Sequence, residues 1–148
     1  MQWLLYPFAL VAGLLNAVQS GANAHLAKQL GVPFAAALVV VAVSATTLLT
    51  AGLVSGHLAW PGVERLREVP WWGWIGGACG AVFVMSQLFV APVVGAGAYL
   101  GLTVTAAVLG SIALDHFALL GFKEHPAGLA RLVGAALMVA GVGLVAKF

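Results

Sequence analysis

Residues 69–114 read VPWWGWIGGACGAVFVMSQLFVAPVVGAGAYLGLTVTAAVLGSIAL and contain no Asp, Glu, Lys or Arg. A transmembrane helix needs about 20 consecutive apolar residues, so this stretch is long enough to cross a membrane twice. Its middle, residues 91–95 (APVVG), has the proline and glycine that are typical of a turn. We therefore expect one span at 71–90 and another at 96–119.

The rest of the chain follows the same pattern of long uncharged stretches separated by short charged ones. Of the 148 residues, 63% are hydrophobic and 7% are charged, whereas a soluble domain is about a quarter charged. A chain of this size cannot bury so much apolar surface in water. Further spans are expected at 3–24, 33–55 and 128–146, and all are too long for barrel strands. The sequence predicts a single all-α integral membrane domain over residues 1–148, with five transmembrane helices.

The few charged residues set the expected topology. Four basic residues fall on the side of the N-terminus and two on the other side, a weak positive-inside bias that favours a cytoplasmic N-terminus and permits both orientations. Residues 22–24 (ANA) resemble a signal-peptide cleavage site. No basic residue precedes the apolar stretch, however, and Asn16 and Gln19 interrupt it. We expect the first helix to be retained.

Several function classes find no support in the sequence. The basic residues are scattered, so no stripe is available for nucleic acid. Cys79 is the single cysteine, and no His or Cys stands near it at metal-ligand spacing. No nucleophile elbow, zinc-protease motif or phosphate-binding loop is present. We expect neither an enzyme nor a metal site nor a cofactor.

Polar side chains inside the spans are the candidate functional residues. Asn16, Gln19, Ser20 and Asn23 fall within an arc of roughly 100° on the first helix. Such a stripe either forms hydrogen bonds between helices or lines a solute cavity. Three carboxamides exceed what helix association needs, which favours Asn16, Gln19 and Asn23 as substrate-binding residues. Tyr99 and Thr103, four residues apart on the fourth span, are secondary candidates for the same lining.

An acidic residue and several pairs of glycines each allow two interpretations. Asp115 is an acid within an apolar run, which makes it a possible coupling acid. It also lies about one turn from the predicted end of its helix, where a structural bond to the next loop or to Arg131 is the other interpretation. Small residues at four- or seven-residue spacing predict close helix packing or a dimer seam, namely Gly76 with Gly80 and Gly134 with Gly141.

Five sequence elements together resemble the YdcZ-type family of small five-helix proteins in the drug/metabolite transporter superfamily. The most specific are residues 111–117 (SIALDHF) and 70–77 (PWWGWIGG). The others are residues 19–28 (QSGANAHLAK), 92–96 (PVVGA) and 131–134 (RLVG). The resemblance covers essentially the whole chain. It departs from the family pattern at Ala106-Ala107, where members usually carry Gly-Gln, at Ala118 and at Ser44, where they usually carry Gly.

The resemblance implies a small secondary-transporter subunit in the inner membrane that works as an antiparallel homodimer. Related small multidrug resistance proteins exchange protons for cations through a first-helix Glu, and no acid stands in this first helix. The carboxamides suit a neutral, hydrogen-bonding solute better. The expected partners are the lipid bilayer, an inverted second copy and a small-molecule substrate. The loss of Gly-Gln keeps a non-transporting subunit of a heteromeric complex as the alternative; a channel would need a selective charged ring that the sequence lacks.

Overall fold

The computed structural model describes residue 3 and residues 5–148, and every regular element in that part of the chain is helical. The long helices are α1 (Leu5–Leu30), α2 (Pro33–Val54), α4 (Trp71–Val94), α5 (Ala96–His116) and α6 (Leu129–Lys147). Each of these five is long and apolar enough to cross a membrane. The short charged helix α3 (Val63–Glu68) lies in the loop between α2 and α4, and a 3-10 turn (Leu119–Gly121) follows α5. The predicted all-α fold with five potential spans is confirmed.

Two helices end later than predicted, and each ends just before a glycine with a positive φ. α1 continues to Leu30, six residues beyond the predicted end, and stops before Gly31, whose φ is 67°. α4 continues through residues 91–94, and Pro92 lies in its last turn rather than in a turn between helices. The chain breaks at Gly95, with a φ of 86°, which a residue with a Cβ adopts only at a cost. The predicted five-residue turn at 91–95 is therefore wrong.

Contacts along the backbone divide the chain into two compact units. The first comprises the residues up to Gln19 together with Val90–Phe148, and the second is Ser20–Phe89. In the first unit α5 packs on α6, and a Cβ added to Gly101 would lie 3.1 Å from a methyl group of Val142. Glycine at this position allows the two helices to approach closely.

The second unit has a small apolar core made by three helices. Ala27 of α1, Ala36 of α2 and Leu88 of α4 are buried together, and four partly buried side chains pack against them. These four are Leu26, Ala37, Val84 and Met85. Large apolar side chains elsewhere on the same helices point outward, for example Leu48 and Val82. This arrangement fits helices whose surroundings are lipid rather than water.

Candidate solute-binding site

A hydrogen bond between two carboxamides joins α1 to α4 inside the second unit. The Asn23 side-chain nitrogen donates to Gln87 Oε1 at 2.6 Å. Asn23 is 6% exposed and Gln87 is fully buried. Both side chains lie seven residues before the end of their helix, Asn23 before Leu30 and Gln87 before Val94. The bond is therefore well inside the two spans and away from the loops.

Hydrogen-bonding capacity at this place exceeds what the chain itself uses. Gln87 Nε2 is buried and has no hydrogen-bond partner, and the same is true of Ser20 Oγ. Ser20 is three residues before Asn23 on α1, so the two side chains share a helix face. A buried amide N–H without an acceptor costs about 1–3 kcal/mol. We call Ser20, Asn23 and Gln87 the carboxamide site.

Small side chains next to the site explain how α1, α2 and α4 come together there. Ala27 follows Asn23 by four residues, so it lies one turn further along the same face of α1. It contacts Ala36 and Leu88, and Leu88 directly follows Gln87. Two alanines in a three-residue core leave little bulk between the helices. The apolar layer thus holds the two carboxamides at bonding distance.

The carboxamide site is electrically neutral. In the described part of its unit, the side chains that ionise, such as those of His25 and Lys28 on α1, are exposed, and Cys79 of α4 is exposed as well. α2 contains no ionisable residue. An arrangement of this kind can bind a solute through neutral hydrogen bonds. It offers no fixed charge that would attract an ion.

The structure places the predicted lining residues in different surroundings. Asn23 lies in the carboxamide site, whereas Asn16 is half-buried, Gln19 is exposed, and both belong to the first unit. Tyr99 is buried in α5, and the hydroxyl of the half-buried Thr103 donates to the Tyr99 carbonyl oxygen at 3.0 Å. A role for these four residues in solute binding stays a prediction.

Gln87 is a polar group of the third span that is not among the predicted binding residues, although it makes the central bond. A signal for it exists, because Gln87 is the single carboxamide in the third span, residues 71–94. Ser20 belongs to the polar stripe of the first helix, but the sequence favours the three carboxamides of that stripe as binding residues. The pairing of Asn23 with a residue 64 positions later depends on how α1 and α4 are placed, which spacing along one helix does not reveal.

Asp115 takes part in a set of bonds at the end of the α5–α6 hairpin. Its side chain accepts a hydrogen bond from Arg131 Nη1 at 3.4 Å, and its carbonyl oxygen accepts one from the His125 backbone at 2.9 Å. Arg131 Nη1 also donates to the His125 carbonyl oxygen at 3.2 Å. The Ala127 backbone N–H donates to His116 Nδ1 at 3.3 Å. We call these residues the hairpin clamp; the geometry agrees with the structural interpretation of Asp115, and a coupling role stays untested.

A model of the family described as "Putative inner membrane exporter, YdcZ" matches residues 4–144. The chain belongs to the YdcZ family. No curated protein and no solved structure matches it. The family match and the five apolar helices make this YdcZ-family chain a multi-pass protein of the inner membrane. The description of the family is that of an exporter.

The glycines predicted to pack against other helices have open space beside them in this YdcZ-family chain. A Cβ added to Gly76, Gly80, Gly134 or Gly141 would meet no atom within 4 Å among the described residues. A Cβ added to Gly101, in contrast, would lie 3.1 Å from a methyl group of Val142. The four open glycines therefore do not pack helices within the described chain, and a role in association with another molecule stays a prediction.

Proposed function

We propose that this chain is one subunit of a secondary exporter that moves a small uncharged solute across the inner membrane. The carboxamide site binds the solute, and the observation that carries the proposal is the fully buried Gln87 with its unpartnered amide nitrogen. A helix-joining pair has no need of free donors. A site that waits for a solute does, because the solute supplies the missing acceptor.

Two copies in inverted orientation complete the proposed transporter. The carboxamide site lies about 10 Å from one end of α1, at 1.5 Å per residue over the seven residues from Asn23 to Leu30. An inverted second copy brings an equivalent site to the mirrored depth, on the other side of the midplane. Alternating access then follows from rocking the two copies about their shared axis. The open glycines Gly134 and Gly141 of α6 are the proposed contact between the copies.

The direct test is whether Ser20 can be reached from water. We would replace Ser20 with Cys in a Cys79→Ser background, reconstitute the protein in liposomes and add a membrane-impermeant maleimide outside. Maleimides react with thiolate in water and not in lipid, so reaction at position 20 reports a hydrated pathway. Alternating access exposes every copy to the outside in turn, and we expect labelling to approach completion. No labelling would show that the site is closed to water, as in a structural subunit.

Two control variants set the scale of that experiment. Val18→Cys places a thiol at an outward-facing position of α1 and should stay unlabelled in lipid. Ser55→Cys places one at the end of α2 in an exposed loop. If the chain inserts in both orientations, the outside reagent should label about half of the Ser55→Cys copies. Complete or absent labelling there would contradict the inverted pair without bearing on the carboxamide site.

A further inference from the structure

A groove of about 510 Å³ lies between α5 and α6 in the first unit, and one of its ends is charged. Asp115 and Arg131 line that end. Asp115 is one residue before the last residue of α5, and Arg131 is two residues after the first residue of α6. The charged end is therefore at the ends of the two spans, where hydrocarbon gives way to the polar head groups of the lipid.

The rest of the groove runs along the two helices toward the middle of the bilayer. Val108 lies seven residues before Asp115, and Met138 lies seven residues after Arg131, so both are about 10 Å further in. The hydrocarbon half of a bilayer is about 15 Å thick. Apart from Ser111, the residues beyond the charged end are apolar or glycine. The groove thus has the polarity of a phospholipid, with a charged head at the surface and an apolar chain below it.

The ion pair at the charged end uses only part of each side chain. Arg131 Nη1 donates both to Asp115 Oδ2 at 3.4 Å and to the His125 carbonyl oxygen at 3.2 Å. In the described part of the chain, Arg131 Nε and Nη2 have no acceptor and Asp115 Oδ1 has no donor. The side chains of Arg131 and Asp115 are 43% and 26% accessible. The pair therefore offers both a cation and an anion to a ligand.

We propose that this groove binds a phospholipid whose head group carries a phosphate and a primary ammonium, as in phosphatidylethanolamine. A guanidinium donates paired hydrogen bonds to phosphate oxygens, so Arg131 holds the phosphate. The ammonium donates to the Asp115 carboxylate. Ser111 lies four residues before Asp115, about 6 Å further in, where its hydroxyl donates to an ester carbonyl oxygen of the lipid. One acyl chain follows the apolar part of the groove.

The charge balance of the groove favours this head group over the others. Arg131 and Asp115 together carry no net charge. An anionic head group, such as that of phosphatidylglycerol, brings a phosphate without a cation for Asp115, and the carboxylate then repels the phosphate. A choline head group has the cation but no N–H to donate to the carboxylate. The primary ammonium satisfies both members of the pair.

The lipid site lies beside the proposed contact between copies and not within it. Gly134 is at the edge of the groove, and Gly141 does not line it. Arg131 precedes Gly134 by three residues, which places the two about 60° apart around α6. A second copy packed on the two glycines therefore has the lipid at its margin. The site shares no residue with the carboxamide site, so the inference goes beyond the proposed function and does not depend on it.

Competition among three lipids tests the head group. The purified chain in detergent is mixed with equal amounts of phosphatidylethanolamine, phosphatidylglycerol and phosphatidylcholine that have the same acyl chains, and native mass spectrometry counts the bound lipids. We expect phosphatidylethanolamine to be retained about ten-fold more than either of the others, the effect of about one charge-assisted hydrogen bond. Equal retention of the three, or a preference for another lipid, would overturn the inference.

Two charge variants sharpen that competition. Asp115→Asn leaves a net positive charge at the groove, so the preference should pass to phosphatidylglycerol. Arg131→Gln removes the partner of the phosphate and should lower the retention of all three lipids. Lys123→Gln and Glu124→Gln are matched controls at exposed residues that do not line the groove, and they should leave the preference unchanged. The three lipids compete for the same molecules, so their ratio does not depend on how much of a variant folds. An unchanged ratio in Asp115→Asn would contradict the proposed role of the ion pair.

A bulky side chain in the groove tests where the lipid lies. Ser111→Phe adds a ring inside the groove, whereas Gly110→Phe adds one at the preceding residue, which does not line the groove and has open space beside it. We expect the first to remove the preference for phosphatidylethanolamine and the second to preserve it. The same preference in both variants would place the lipid elsewhere on the chain and overturn the assignment to this groove.

Discussion

The two units of this YdcZ-family chain join their helices by opposite means. In the first unit the hairpin clamp uses charged groups and loop backbone at the end of the spans, where Arg131 shares its donors between Asp115 and His125. In the second unit a single bond of 2.6 Å joins two neutral carboxamides inside the spans. The clamp is partly exposed, with 43% of the Arg131 side chain accessible, whereas Gln87 is fully buried.

The difference teaches which polar contacts serve the fold and which are available for a solute. Bonds near the ends of the spans have water as an alternative partner, so each contributes little to the free energy of unfolding. A buried carboxamide has no such alternative, and its unpartnered nitrogen costs free energy until an acceptor arrives. Thr105 of the first unit is also buried without a partner. The hydroxyls of Thr105 and Ser20 can rotate to their own helix backbone, as that of Thr103 does, so the unpartnered nitrogen of Gln87 is what distinguishes the carboxamide site.

The largest effects are expected from removing the carboxamide pair. Asn23→Leu or Gln87→Leu alone leaves the other carboxamide buried without its partner, which should lower the free energy of unfolding by about 1–3 kcal/mol. The double variant removes both polar groups and should recover most of that loss. Thermal unfolding in detergent measures the stability, and the rate of maleimide labelling of Ser20→Cys in liposomes measures the opening of the site to water.

The double variant distinguishes a solute site from helix association. If the pair serves the fold alone, recovered stability should come with a recovered rate of maleimide labelling at Ser20→Cys. We expect the stability to return and the labelling rate to stay low, because two leucines exclude water from the site. Gln29→Leu, at an exposed carboxamide near the end of α1, serves as the matched control for both measurements.

Packing of α5 on α6 should respond almost as strongly. Gly101→Val places a branched side chain where even a Cβ would lie 3.1 Å from Val142, and overpacking costs typically about 1–3 kcal/mol. Gly97→Val is the matched control, because its Cβ meets nothing within 4 Å among the described residues. A loss of thermal stability that is equal in the two variants would show that helix propensity, and not the approach of the helices, is responsible.

A smaller gain in stability is expected at the turn after α5. Ala118 has a φ of 50°, a left-handed conformation that costs a residue with a Cβ about 1–2 kcal/mol. Ala118→Gly should raise the free energy of unfolding by about 1 kcal/mol, after the greater flexibility of glycine in the unfolded chain is subtracted. Ala113→Gly, inside α5, should instead lower it by about 0.5–1 kcal/mol. A destabilising effect at both positions would contradict the strained turn.

Much of the fold could be predicted from the sequence because lipid imposes one simple rule. Every span must be a long apolar helix, so the gaps between charged residues located all five. The ends of the helices are harder to predict from the sequence. A turn is predicted at Pro92 because proline usually ends a helix, but the last turn of α4 accommodates it and the helix breaks at Gly95.

Only part of the candidate site can be predicted from the sequence. The polar stripe of α1 includes Asn23 and Ser20, and helical spacing was sufficient to find it. Gln87 could not be paired with Asn23, because a contact across 64 residues depends on which helices pack together and in which rotation. The same limit applies to the open glycines, since a four-residue spacing does not reveal whether another helix is near.

The smallest effect is expected at the hairpin clamp, and it decides between the two interpretations of Asp115. The ion pair with Arg131 is 3.4 Å long and partly exposed, so Asp115→Asn should lower the free energy of unfolding by less than about 1 kcal/mol. Because the bonds of the clamp join the end of α5 to the loop before α6, we expect maleimide labelling of Ser20→Cys to proceed at the same rate in Asp115→Asn. The measurement should be made with and without a pH gradient across the liposome. If a gradient alters the labelling rate and Asp115→Asn abolishes that response, Asp115 is the coupling acid; an unaltered response assigns it to the clamp.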